Sequence, residues 1–449
     1  MKIRLSSYGQ ASTSPSPVSR LLSSFAHDFR DGIDVNLGVG YVNEKTIPVP
    51  ELTEALTAVG RDGVKYRQAF NYGSPVGSAN LIASIRRFLT TLKIGQLDAA
   101  TIERNRLVIG ACGATSILDG LAQVLPPGIV VTSDPAYYIY ADVLERRGFE
   151  ILPVPEDAEG LDAALLERKL HELGPAAEQI SFFYVVTVNN PSGTILSNRR
   201  RRELYEIVAR ESRRQKRLIP IFYDLAYELL LHDPAAEPFA SVLPEDDLGI
   251  VYEIATLSKI IAPGLRIGYL LGPNSPFMHA MIEKTSDTGF SAPLFVQEMA
   301  SYLLDVRIKE QLKLVNAAYR EKALAIKAGL ERSLGPYLEE QRGGSAGFYF
   351  YVTFRDVETH PASPFFRFLT RTTGEPEVDG PKENRLPRVI YIPGEYCVHR
   401  HGDLAEKGKR QLRISYGFED APHILKALEL MREGVEYVHR NAGLAESVR

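Results

Sequence analysis

Residues 180–188 read ISFFYVVTV, residues 219–224 read IPIFYD and residues 250–256 read IVYEIAT. These runs are β-branched and aromatic, too continuous for strands with one wet face, and bounded by Gly, Pro or Asp. Four more runs of the same kind surround them: LVIGAC at 107–112, GIVVTS at 128–133, EILPVP at 150–155 and RIGYLLG at 266–272. Helix-length stretches lie between several of them, among them TSILDGLAQVL (115–125), YADVLERRG (140–148) and RRRELYEIVARESRRQKR (200–217). Strands alternating with helices predict an α/β domain whose sheet is mostly parallel and covered on both faces. Ligands of such sheets sit outside the carboxyl ends of the strands.

Outward from this block the pattern changes. After about Pro293 long helical stretches run to about Leu334. A strand group follows (GFYFYVTF at 347–354, RVIYIPG at 388–394, QLRISYGF at 411–418), and then a closing helix from Pro422. This predicts a second, smaller α+β domain. The Pro-, Gly- and charge-rich stretch TGEPEVDGPKENRLPR (373–388) reads as a surface loop or insertion near the substrate side.

Composition bounds the function class. The chain has 449 residues, 52 Lys+Arg against 56 Asp+Glu for a net charge of −4, with 45% hydrophobic and 24% charged residues. That excludes a disordered chain, a collagen-like repeat and a disulfide scaffold, and makes nucleic acid or a membrane surface a poor partner. The two cysteines, Cys112 and Cys397, suit a reducing, cytoplasmic setting and offer no metal-ligand spacing. No apolar run reaches the ~18 residues needed to span a bilayer. The N-terminus has no acidic residue before Asp28; its Ser-Pro steps favour a polar arm over a transit peptide. The run Arg199–Arg202 is answered by Glu203, Glu206 and Glu211 and reads as a solvated helix face. His399 and His401 beside Cys397 read as loop or surface, and no metal site is expected.

Several residues fall where a ligand of the sheet would lie. Lys259 follows a strand in a Ser/Thr-rich turn; on its own it reads as solvent-exposed, yet neighbouring hydroxyls and Arg266 would suit an imine-forming amine. Asp224 ends a strand, so it is either a cap or a carboxylate facing a cationic ring nitrogen, with Tyr227 three residues on. Gly113, Ala114 and Thr115 lie between a strand and a helix start, where backbone N–H groups favour an anion, or simply form a tight turn. Asn190 sits in an Asn-Pro turn, and Tyr137 is either a core aromatic or a ring stacker.

Taken together, NYGSPVG, GAT, DPAYY, NNPSG, YDLAY, TLSK, APGLRIGY, GGSAGFYFYV and QLRIS, in this order from about Leu37 to Phe418, resemble the fold-type I pyridoxal-phosphate (PLP) enzymes, class I/II aminotransferases in particular. The resemblance implies a PLP-dependent transferase fold. Residues 1–50 would form the N-terminal arm and part of the small domain, 51–304 the large PLP-binding domain, and 305–449 the small C-terminal domain. Lys259 matches the family's Schiff-base lysine and Arg266 its phosphate arginine. Gly113, Ala114 and Thr115 match the phosphate cradle, with Thr256 and Ser258 beside them. Asp224 matches the partner of the pyridinium nitrogen, Tyr227 and Asn190 the donors to the phenolic oxygen, and Tyr137 the stacking aromatic. Tyr72 matches a tyrosine that reaches the neighbouring subunit's phosphate, which implies a homodimer. Arg413 matches the arginine that grips the substrate α-carboxylate and Gly40 a main-chain contact near that carboxylate; Asn190 borders the same substrate site. The implied activity moves an amino group between an L-amino acid and a 2-oxo acid. The alternative is a lyase or cyclase of the aminocyclopropane-carboxylate synthase type. No second arginine that would select a dicarboxylic substrate is assigned. A transcription regulator of this fold would carry an N-terminal winged-helix module, for which the 36 or so residues before the first motif are too few.

Overall fold

The computed structural model describes residues 3–381 and 384–447, so Lys382 and Glu383 of the 373–388 stretch lie outside the described residues. Eight strands among them form the principal sheet. They are β1 (Asn105–Ile109), β2 (Ile129–Asp134), β3 (Glu150–Asp157), β4 (Gly160–Leu161), β5 (Ile180–Val186), β6 (Ile221–Asp224), β7 (Val251–Thr256) and β8 (Gly268–Pro273). The spatial order is β1-β8-β7-β6-β5-β2-β3-β4. Pairing is parallel from β7 through β6, β5 and β2 to β3; only β8 and β4 oppose their neighbours. All seven predicted strand runs are present, and the sheet is mostly parallel as expected.

Alternate residues of these strands serve two cores. Phe182, Tyr184, Phe222 and Ile254 pack on one face, and Phe183, Val185, Tyr223 and Ala255 on the other. Burying each large side chain contributes about 1.5–3 kcal/mol, which is why both faces must be covered. Helices Gly113–Val124, Tyr138–Arg146 and Asn198–Gln215 follow β1, β2 and β5 at the predicted places.

The second sheet has four antiparallel strands: β9 (Leu338–Gly343), β10 (Tyr349–Phe354), β11 (Ile392–Pro393) and β12 (Gln411–Ser415), in the order β9-β10-β12-β11. β9 reads LEEQRG and has no apolar alternation, so its pairing to β10 was not legible in sequence. The helices Ile308–Ser333 and Ala421–Ser447 pack together against this sheet's apolar face. Val35–Asn36 pairs in parallel with Val389–Ile390, joining the two ends of the chain.

Three surface expectations change. The N-terminal arm is not merely polar: Ser16 caps a helix, Pro17–Ala26, which buries Val18 and Leu21. Arg199–Arg202 is a solvated face only in part: Arg199 and Arg202 are exposed and Glu203 pairs with Arg199 and Arg200, whereas Arg200 and Arg201 are buried and reach Asp157 and Glu228. The described part of 373–388 does not border the cavity at the strand ends. It is fastened to the N-terminal segment instead, through Arg30 to the carbonyls of Arg385 and Leu386 and through Arg388 to Asp28 and Asp34.

Candidate active site

A cavity opens at the carboxyl ends of β5, β6 and β7, and its wall gathers residues from five separate segments. Ala114 and Thr115 come from the helix after β1, Tyr137 from the segment after β2, and Asn190 from the turn after β5. Asp224 ends β6 and Tyr227 follows it; Thr256, Ser258, Lys259 and Arg266 come from the end of β7 and the loop to β8. These ten sequence candidates therefore share one space.

Lys259 is the amine of this cavity. Its Nζ donates to the Gly40 carbonyl at 3.5 Å and lies 5.4 Å from the Tyr227 ring centroid. Burial, then the charges of Arg266 and Arg413, push its pKa down to about 8. No carboxylate is bonded to it among the described residues, so the exposed, solvated lysine of the simplest sequence reading is excluded.

Asp224 is buried with its two oxygens engaged: Oδ2 accepts the Tyr184 hydroxyl at 2.6 Å and Oδ1 the Ala226 N–H at 3.0 Å. The bond from Ala226 braces the chain as it leaves β6. Burial raises its pKa against these bonds and the charge of Lys259. A buried carboxylate without an ion-pair partner favours a cation across the cavity. Tyr184 was missed in sequence; it shares a strand face with Val186, beside Asp224 in register, and strand alternation was the available signal.

At the opposite end is an anion cradle. The helix Gly113–Val124 has no side-chain cap, so its first-turn N–H groups are available. Gly113 (φ +64°) hands its own N–H to the Arg266 carbonyl at 2.6 Å, and a Cβ there would lie 2.9 Å from Arg266 Nη2. At Gly268 a Cβ would come within 2.3 Å of the Ala114 nitrogen. Only glycines let these two backbones and the guanidinium converge. Arg266 touches the Pro263 and Cys112 carbonyls and no carboxylate among the described residues. Thr256 donates to the Ile267 carbonyl at 2.7 Å and accepts the Ser258 N–H at 3.1 Å, which sets the turn carrying Ser258 and Lys259.

Arg413, on β12, lies against the cavity rather than in its lining. It is 1% exposed, with Nη1 donating to Asn190 Oδ1 at 2.8 Å and Nη2 to the Gly38 carbonyl at 2.5 Å. Its Nε has no partner, and it meets no carboxylate among the described residues. The Gly38 carbonyl thus accepts from Arg413, and the Gly40 carbonyl accepts from Lys259. Tyr349 was also missed: its ring centroid lies 4.6 Å from the Arg413 guanidinium carbon, and its hydroxyl lies 2.9 Å from that of Tyr227.

Tyr72 does not reach this cavity. It is 84% exposed, its ring beside Phe290 near exposed Phe70 and Val64. His399 sits on a loop held to the end of β2, its N–H donated to Asp134 and its ring 3.5 Å from Glu145.

An amine, a buried acid awaiting a cation and a cradle awaiting an anion match three features of pyridoxal phosphate: its aldehyde, its protonated ring nitrogen and its phosphate. The residues present therefore fit the group.

Comparison with known proteins points the same way. A 25% identical relative, the uncharacterized HTH-type transcriptional regulator YisV of Bacillus subtilis, aligns over 75% of this chain and 65% of its own length. Aromatic-amino-acid aminotransferase 1 of Thermococcus litoralis is 27% identical over 53% of this chain and 54% of its own. The chain thus spans between half and two thirds of these two relatives. The crystal structure of the multiple substrate aminotransferase from Thermococcus profundus superposes with a TM-score of 0.81 at 21% identity, covering 97% of this chain and 98% of that one, a likeness of fold. The model of the family "Aminotransferase class I and II" matches residues 32–416, and the chain belongs to that family.

Proposed function

We propose that the protein is a PLP-dependent aminotransferase that moves an amino group between an L-amino acid and a 2-oxo acid. The observation that carries this reading is the buried Arg413 guanidinium, without a carboxylate among the described residues and bonded to Asn190 of the cavity that holds Lys259. A fork-shaped cation of this kind takes a substrate α-carboxylate in two parallel bonds, which a lysine could not reproduce. Asn190, bonded to Arg413, fixes that fork at the cavity edge.

When bound, the cofactor supplies an electron sink for the pair released as the substrate Cα–H bond breaks. The residues of this chain do the rest. Asp224, with the Tyr184 hydroxyl on it, would hold a proton on the ring nitrogen. Arg266, Ser258 and the amides after Gly113 would hold the phosphate, with Thr256 bracing the turn. Tyr137 would stack on the ring, and Tyr227 and Asn190 would donate to the phenolic oxygen. The Lys259 amine, its pKa pushed down to about 8, would be placed to move the proton released from the substrate Cα.

The two-part division at 51–304 and 305–449 is supported by the separate sheets. Exposed Tyr72, Phe70 and Val64 support a homodimer in which Tyr72 completes the partner's phosphate site. A cytoplasmic location agrees with the absence, among the described residues, of a helix long and apolar enough to cross a membrane.

The likeness to a transcription regulator supports a second reading, a cofactor-bound sensor without turnover. One experiment separates these readings: a screen of amino donors and 2-oxo acids followed by absorbance. The aminotransferase reading expects conversion to the pyridoxamine form and back with a 2-oxo acid. Ammonia release without that form would replace it with a lyase, and spectral binding without turnover would replace it with the sensor.

A further inference from the structure

Tyr349 connects two groups that the reading above treats separately. It stands on β10, whose register places Tyr351 opposite Arg413 and Tyr349 opposite Ser415 on β12, so Tyr349 and Arg413 share one face of the small sheet. Its ring lies beneath the guanidinium of Arg413, at 4.6 Å from centroid to carbon. Its hydroxyl, fully buried, is 2.9 Å from the hydroxyl of Tyr227. Backbone makes room for that hydroxyl: a Cβ at Gly40 would stand 3.0 Å from it. Burial holds both phenols protonated, with pKa values raised above the ordinary tyrosine range.

Proton counting then sets a direction. Tyr227 has one hydroxyl proton; if it is given to the cofactor's phenolic oxygen, Tyr227 can only accept from Tyr349. A phenol that accepts one bond becomes a stronger donor of the next. We propose that Tyr349 is a positioning residue for the reaction: its hydroxyl drives the Tyr227 proton toward the cofactor's phenolic oxygen, while its ring seats the arginine that grips the substrate. This rests on the aminotransferase reading.

The test is the visible absorbance of the PLP-loaded protein as a function of pH. Tyr349→Phe keeps the ring and removes only the hydroxyl. A weaker donor at Tyr227 leaves the phenolic oxygen more basic, so the proton it shares with the Lys259 nitrogen is held to higher pH. The midpoint should rise by about half a unit, roughly a threefold change in the acid constant. Tyr227→Phe should raise it further, and adding Tyr349→Phe to that variant should change nothing more. Tyr349→Leu should reproduce the spectral shift and also raise the KM of the amino donor, whereas Tyr349→Phe should leave that KM within about twofold because the ring stays.

An unmoved midpoint in Tyr349→Phe, or an equal shift in the Tyr227→Phe background, overturns the relay. An unmoved KM in Tyr349→Leu overturns the seat. If the unaltered protein takes up PLP without a Lys259-dependent band, the aminotransferase reading itself falls; a normal band with an unmoved midpoint removes only this inference.

Discussion

Arg201 and Arg413 are each 1% exposed, and each has an Nε without a partner. Arg201, on the helix Asn198–Gln215, closes a 2.7 Å ion pair with Glu228 and lies over the Phe239 ring. Arg413, on the small sheet, receives only an amide oxygen, a carbonyl and aromatic faces. Burying an ion costs several kcal/mol, and a pair recovers that cost only within well-made geometry. Glu228 offsets that cost for Arg201 within the core, whereas Arg413 has no carboxylate of the chain beside it among the described residues. The same contrast separates Asp224 from Asp34, which is held by Arg30 and Arg388 with its pKa pulled down to about 2. Equal burial thus carries opposite meanings according to whether the counter-charge belongs to the chain.

The contrast can be broken or sharpened by experiment. The largest expected effect is at Lys259: Lys259→Ala should abolish turnover and the cofactor-linked absorbance band while leaving the urea midpoint nearly unchanged. A variant turning over at the normal rate would refute its role. The two arginine environments should then respond in opposite ways. Glu228→Ala strands a buried guanidinium and should cost about 3–5 kcal/mol in urea unfolding. Arg413→Met removes a charge that was never paired; it should cost about 1 kcal/mol or less in stability, yet lower kcat/KM on the order of a hundredfold. Equal losses of stability in the two variants would erase the distinction.

The smallest effect concerns pH. Burial pushes the Glu253 carboxyl from 4.5 up to about 7 against its bond from Ser241 and the charge of Arg201. A raised folded-state pKa means that the folded chain binds the extra proton, so this contribution is complete below pH 4.5 and is lost as pH rises through 7. Urea midpoints should therefore fall between pH 5 and pH 8, and Glu253→Gln should remove about 2–3 kcal/mol of that decline. An unchanged slope in the variant would show that the carboxyl ionises freely in the core.

Legibility followed the range over which each feature acts. The seven strand runs were readable because a sheet buried on both faces demands unbroken apolar sequence. Lys259, Asp224, Asn190 and the Gly113 turn were readable because each directly follows a strand, where ligands of such sheets gather. LEEQRG was not, since β9 takes its strand character from the neighbouring β10. Nor were Tyr184 and Tyr349, which resemble ordinary core residues until distant segments meet. The Arg199–Arg202 run misled for a related reason. Acidic neighbours along the helix suggested solvent, and Glu203 does pair with Arg200, but the partners that go with burial of the two inner arginines, Asp157 and Glu228, lie 43 and 27 positions away.

The order of apolar runs, turns and hydroxyl-flanked lysine thus determined the layered α/β architecture and the strand ends that carry a ligand site. Which buried charges meet a counter-charge of the chain, and which meet none among the described residues, was decided only by the tertiary structure. Local periodicity records how a segment buries its own surface, but a counter-charge or a hydroxyl partner is a matter of distance in space, and the chain brings Arg413 to Asn190 across 223 positions.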